Sequence, residues 1–186
     1  MQDRPTARAT YEDLRAVPPH LVAEILGGAL TTHPRPGPRH VLAGSGLGVV
    51  LGGPFQLGAG GPGGWWILDE PELHLGEDVL VPDLAGWRRE RLPRLPDTAW
   101  FEVAPDWVCE VISPATARHD RGLKRDIYGR EGVRHLWHVD PAARLLEVFT
   151  IADPGWHLVR TFREDEEVAA PPFEAAPFRL GLLWAE

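Results

Sequence analysis

The sequence predicts a mixed α/β fold: an α+β mixed sheet with one β-hairpin ahead of it and another at its C-terminal end. Three observations carry that prediction. Short apolar runs rich in β-branched and aromatic residues, such as DWVCEVIS and HLWHVD, alternate with two stretches that read as helices. Two glycine-marked turns, Gly27-Gly28 and Asp153-Pro154-Gly155, each separate a pair of apolar runs in the manner of a hairpin. Neither an internal repeat nor a linker-like composition divides the 186 residues. Residues 10–186 are therefore expected to form a single domain, with 1–9 disordered or frayed.

The elements follow in order. Thr10 with Asp13 three positions on makes a short capping box, so a brief helix is expected at about 11–17 and ends at Pro18-Pro19. HLVAEILGGALTT then reads as two strands about Gly27-Gly28, and the three prolines within 33–39 force a loop. A helix is expected over 40–51 on Val41, Leu42, Leu47, Val50 and Leu51, although Gly44, Gly46 and Gly48 weaken it. Residues 52–64 are glycine-rich and read as a loop. WWILDEPELHL and VLVPDLAGW predict a strand pair near 65–75 and 79–87, turning at Gly76-Glu77-Asp78. Residues 88–97 are an Arg/Pro-rich connector. A strand at 106–112 is broken by Pro114 and leads into a helix over 116–131 that Gly132 closes. A strand at 135–139, the C-terminal hairpin of RLLEVFTI and WHLVRTF, and a tail PFRLGLLWAE returning to the core complete the chain.

Composition excludes several classes. A single cysteine, Cys109, leaves no disulfide framework and no Cys-based zinc site. No apolar run reaches the roughly 18–20 residues of a membrane span, and MQDRPTARAT lacks the apolar stretch of a signal peptide, so a cytoplasmic protein is expected. A net charge of −8 disfavours loose coating of nucleic acid while leaving room for a local site. Of the 19 basic residues only Lys124 is lysine. Arginine replaces lysine readily on a solvated surface but not where a compact ammonium is needed, which singles Lys124 out.

Two carboxylates interrupt apolar strands: Asp83 after Pro82 in VLVPDLAGW, and Glu110 in DWVCEVIS. An unpaired charge there is costly. Paired carboxylates that meet on a sheet face suit Mg²⁺ or Mn²⁺, whereas the plain alternative is two strand-end acids paired with arginines. On the following helix Asp120, Lys124 and Tyr128 fall at i, i+4 and i+8 as a polar stripe, beside an apolar one of Leu123 and Ile127. That places Lys124 within reach of the carboxylates, against the alternative of an exposed Asp120–Lys124 pair.

Read together, VAEILGGAL, VLVPDLAGW, DWVCEVISPAT, HDRGLKRDIYGREGV and HLWHVDP resemble the Uma-type restriction endonucleases of the PD-(D/E)XK nuclease superfamily. The resemblance runs from about Thr10 to the C-terminus and is strongest over 106–141. It implies a restriction-endonuclease-like αβββαβ core and a metal-dependent endonuclease that hydrolyses DNA phosphodiester bonds with Mg²⁺ or Mn²⁺. Asp83 matches the PD aspartate, Glu110 matches the acid of the (D/E)XK element, and Val111 would offer its carbonyl to the metal. The third position of that element is Ile112 where a lysine is usual, and Lys124 occupies the place of a lysine migrated to the next helix. Asp120, Tyr128 and Glu24 match further recurrent positions, Glu24 without an assigned role. A homodimer is expected on analogy, on an exposed strand edge and on tryptophans.

The competing reading is a catalytically silent nucleic-acid-binding or regulatory module of the same fold. A third is a partner protein that docks through Trp65-Trp66. The glycine runs near 44–48 and 58–61 do not stand between a strand and a helix as phosphate loops do. His135 and His138 lie on a strand and lack zinc-site spacing, and Cys109 reads as a core residue.

Overall fold

A computed structural model describes residues 8–185. Arg8 and Ala9 lie against the first hairpin, with the Ala9 N–H donating to the Gly28 carbonyl at 2.9 Å; the rest of the expected frayed terminus falls outside the described residues. Helix α1 (Tyr11–Arg15) starts on the complete Thr10–Asp13 capping box. Strands β1 (Leu21–Leu26) and β2 (Ala29–Pro34) join through Gly27-Gly28, both left-handed at φ 61° and 81°, the two-residue turn that glycine permits without strain.

Helix α2 (Pro38–Leu51) forms despite its glycines because Pro38 opens it and Ala43, Leu47 and Leu51 present one buried stripe at a spacing of four. Gly46 lets the C-terminal segment approach: a Cβ there would stand 3.3 Å from Leu183 Cδ2 and from the Leu182 carbonyl. Beyond Leu51 the chain departs from the expected loop. Residues Gly52–Gln56 continue as a π turn that buries Phe55, and Gln56 Oε1 accepts the Ile67 N–H at 2.7 Å.

Each of the two strands expected over 65–75 and 79–87 divides in two. The segments are β3 (Trp65–Asp69), β4 (Leu73–Leu75), β5 (Asp78–Leu80) and β6 (Leu84–Arg88). Pro71 and Pro82 have no N–H to give a ladder, so pairing stops at each and the chain changes sheet. The β4–β5 hairpin joins a four-stranded sheet ordered β2-β1-β5-β4. β3 and β6 pair with each other in a six-stranded sheet, which continues through β7 (Trp107–Val111), β8 (His135–Asp140), β9 (Leu145–Ala152) and β10 (Gly155–Arg163) in the order β10-β9-β8-β7-β6-β3. Only β7 and β8 run parallel. Between them lie α3 (Ala117–His119), a π turn over Asp120–Lys124 and α4 (Arg125–Arg130), the helix expected at 116–131, with Gly132 left-handed just past its end. Strands β11 (Glu167–Val168) and β12 (Phe178–Arg179) pair near the C-terminus. The order α2, β3, β6, β7, α3–α4, β8 is the αβββαβ core, with the β4–β5 hairpin inserted.

Alternation along β7 assigns the two faces of the large sheet. Trp107, Cys109 and Val111 join a core with α2 and the returning tail, in which Leu180 and Leu183 are fully buried. Val108 joins a second core with Ile127, Tyr128 and Leu26, Leu73 and Leu80 of the small sheet. Trp65 belongs to the first core, which removes it from any docking surface, and Trp87 is fully buried. Among the described residues no helix is long and apolar enough to cross a membrane.

Candidate active site

Glu110 is the fourth residue of β7, so it points away from Trp107, Cys109 and Val111, toward α4 and the small sheet. There it meets three side chains from the following helix and one from β1. The Tyr128 hydroxyl donates to Glu110 Oε1 at 2.6 Å. Lys124 Nζ lies 2.9 Å from the same oxygen, 3.0 Å from Glu24 Oε1 and 3.7 Å from Asp120 Oδ1. Glu24 Oε1 also accepts the Val81 N–H at 2.8 Å. The side chains of Lys124, Glu24, Glu110 and Asp120 are each at most 4% exposed. The exposed Asp120–Lys124 pair is thereby ruled out. The expected apolar stripe is also corrected: Ile127 is buried, but Leu123 is 40% exposed, because the π turn directs the polar stripe inward.

Three carboxylates around one ammonium leave this cluster short of positive charge. Burial pushes the Glu110 carboxyl well above the ordinary carboxylate range; Lys124 counters it, while Asp120, Asp83 and Glu24 push the same way as burial. Burial alone would lower the Lys124 ammonium, but Glu110, Glu24, Tyr128 and Asp120 outweigh it and hold it well above its usual value. Burial likewise raises Asp120, with Lys124 pulling back.

Asp83 stands beside this cluster in the short segment that passes from β5 to β6. Its carboxylate is gripped at both oxygens: the Val111 N–H donates to Oδ2 at 2.6 Å, and His40 Nε2 lies 2.5 Å from Oδ1. Asp83 lines a cleft of about 270 Å³ whose walls are the proline-rich loop before α2 and the Ser113–Thr116 connection after β7. The reading from sequence missed His40, one of eight scattered histidines. Its signal was its place in the first turn of α2, and only the tertiary contact gives that place meaning.

The donors suit a hard divalent cation. Asp83, Glu110 and the Val111 carbonyl offer oxygen alone, and each Asp83 oxygen spends one hydrogen bond and keeps a lone-pair direction. Both contacts that Glu110 accepts fall on Oε1, which leaves Oε2 outside that grip. The deficit of positive charge is what such a cation would offset. Among the described residues no group of three or more His, Cys, Asp or Glu side chains is placed to hold a metal ion.

A family model described as "Uma2: Putative restriction endonuclease" matches residues 8–180. No curated protein matches the chain. Among solved structures, a protein from Anabaena variabilis ATCC 29413, described as a "putative nuclease belonging to DUF820", superposes with a TM-score of 0.75 at 20% identity. That match covers 94% of this chain and 97% of the other.

Proposed function

The chain belongs to the Uma2 family of restriction endonucleases, and on that premise we propose that it is a Mg²⁺- or Mn²⁺-dependent endonuclease that hydrolyses phosphodiester bonds of DNA. One observation carries the reading: Asp83 lines an open cleft and is held by the N–H of Val111, the residue next to Glu110, which pairs in the buried cluster with the only lysine of the chain. Asp83, Glu110 and the Val111 carbonyl would hold the metal. When bound, the metal supplies Lewis-acid polarisation of the scissile phosphate and a lowered pKa for a coordinated water. Lys124 holds its proton and presents a fixed ammonium that orients the attacking water or offsets charge gained by the phosphate. Glu24 and Asp120 hold that ammonium in place, and Tyr128 steadies Glu110 through its hydroxyl. His40 and the Val111 N–H orient Asp83.

A specific observation favours the second reading, a silent nucleic-acid-binding or regulatory module. Two of the three Lys124 donors face Glu24 and Glu110, and toward the third lie the Val81 carbonyl at 3.4 Å and Asp120 Oδ1 at 3.7 Å. A productive complex must free one of them. Plasmid and single-stranded DNA incubated with Mg²⁺, Mn²⁺ or EDTA separate the two. Metal-dependent cleavage that Asp83→Asn abolishes is expected; metal-dependent binding without cleavage gives the silent module, and neither outcome leaves the partner protein.

We place this activity in the cytoplasm. A homodimer would bring two clefts to one duplex; its support is the outer edge of β10, where Leu158 and Val159 are exposed.

A further inference from the structure

We infer that one arm of a DNA strand held at the Asp83 cleft runs across an apolar trough that ends on Arg39 and Arg144. The inference rests on the nuclease reading and adds the path of the bound strand.

Three depressions meet at His40. The first is the cleft that contains Asp83. The second, about 250 Å³, opens between α2 and the end of β3 and is walled by Asp69, Glu70 and Asp83. The third, about 510 Å³, runs over Pro38, Arg39, Ile112, Pro114, Pro141 and Ala142. It shares Gly37, Ser113 and Pro114 with the Asp83 cleft, so the two are continuous. At its far end a smaller hollow of about 90 Å³ is bounded by Arg39, Arg144 and Trp184 and shares Pro141 and Ala142 with the trough.

Charge decides between the two exits. Each nucleotide of a strand adds a phosphate anion; Glu70 already lines the Asp83 cleft, and the exit past it adds the carboxylate of Asp69. Among the described residues no carboxylate lines the trough or the hollow beyond it, and the full charges lining them are the guanidinium groups of Arg39 and Arg144. Guanidinium is the side chain best shaped to grip phosphate oxygens in pairs. The floor of Ile112, Pro114, Pro141 and Ala142 gives a nucleobase a flat apolar surface, in a space within the roughly 300–1,000 Å³ of ligand pockets.

The floor is held in place. Asp140 Oδ1 accepts the N–H groups of Ala142 and Ala143 at 3.1 and 2.9 Å, which pins the turn that carries Ala142 and Arg144. The Arg144 guanidinium has only long contacts, 3.4 Å to Glu164 Oε2 and 3.4 Å to the Ala185 carbonyl, which a phosphate can replace. Arg39 has no ion-pair partner among the described residues.

The test is the affinity of the whole protein for a fluorescein-labelled single-stranded oligonucleotide, by anisotropy in EDTA across a salt series, with plasmid cleavage in Mn²⁺ scored in parallel. The double variant Arg39→Ala/Arg144→Ala is expected to flatten the plot of log K against log salt by about 1.4, at roughly 0.7 per lost phosphate contact. Ala142→Trp, which fills the trough from an exposed position, is expected to weaken binding at least several-fold with the slope unchanged. Asp69→Asn/Glu70→Gln is expected to bind as well as the wild type or better. The path is overturned if both trough variants bind like the wild type, or if the Asp69/Glu70 variant weakens binding as much as they do. Should the wild type cleave while the trough variants bind normally, the path fails and the nuclease reading stands. Should the wild type fail to bind the oligonucleotide in EDTA, the path fails, and the nuclease reading fails with it only if cleavage in Mn²⁺ is absent as well.

Discussion

Lys124 Nζ lies 3.0 Å from Glu24 Oε1, an ion pair between the helix after β7 and the first strand of the other sheet. It joins the two sheets, because the same ammonium lies 2.9 Å from Glu110 Oε1 on β7 of the large sheet. Buried pairs of this kind are weak evidence for net stability, yet removing one partner leaves an uncompensated charge.

Lys124→Met is therefore expected to lower the free energy of unfolding by about 3–5 kcal/mol as well as to abolish cleavage. Denaturant unfolding measures the first effect. The double variant Lys124→Met/Glu110→Gln should recover part of that loss, since the pair is coupled and its costs do not add. A single variant as stable as the wild type would show that the ammonium is not enclosed. Lys124→Ala is for the same reason not a clean probe of chemistry.

His40 is expected to act on Asp83 through its Nε2 contact at 2.5 Å. Glutamine can place an amide N–H near the same point, and alanine cannot. His40→Ala should weaken Mn²⁺ binding by roughly tenfold or more, the usual size for loss of a second partner of a metal-ligating carboxylate. His40→Gln should restore most of it. Calorimetric titration with Mn²⁺ reads this without cleavage, and equal affinity for all three proteins would dismiss the role.

His138 sits opposite Glu110 in the parallel β7–β8 register and is fully buried, and among the described residues neither ring nitrogen has a hydrogen-bond partner of good geometry. Burial, helped by Arg121 and Arg125, lowers its pKa to about 3. In the unfolded chain it titrates near 6.5. The unfolded state then binds more protons between those values, so stability is full above about pH 6.5 and falls as pH drops toward 3, by up to about 1.4 kcal/mol per unit. Glu110, shifted upward, contributes with the opposite sign over part of that range. The difference between wild type and His138→Leu isolates the histidine. The leucine variant is expected to lose less stability on acidification, and parallel pH–stability curves would contradict the assignment.

The helix after β7 offers a paired test of its rotation. Ile127 is fully buried and Leu123 is 40% exposed. Ile127→Ala should cost about 2–5 kcal/mol, while Leu123→Ser should stay within about 0.5 kcal/mol. Comparable losses at both sites would restore the apolar stripe expected from sequence.

Much was determined by the sequence alone. Local chemistry set both glycine-turn hairpins, the Thr10 cap, the Pro114 break and the Gly132 stop, because each acts over a few residues of one chain segment. The αβββαβ core was expected from the resemblance to the Uma-type endonucleases, and the reach of Lys124 to Glu110 from an acid that interrupts an apolar strand and a lone lysine among arginines. Tertiary structure decided the rest. Pro71 and Pro82 announce breaks, but which sheet takes each half-strand depends on partners far along the chain. Lys124 is buried because β1 and the π turn close over it, and helical spacing cannot supply a neighbour from another sheet. His40 became meaningful only when α2 brought it to Asp83, 43 positions away. Solvent exclusion and the balance of charge around Lys124 depend on contacts between distant segments, and no local pattern records them.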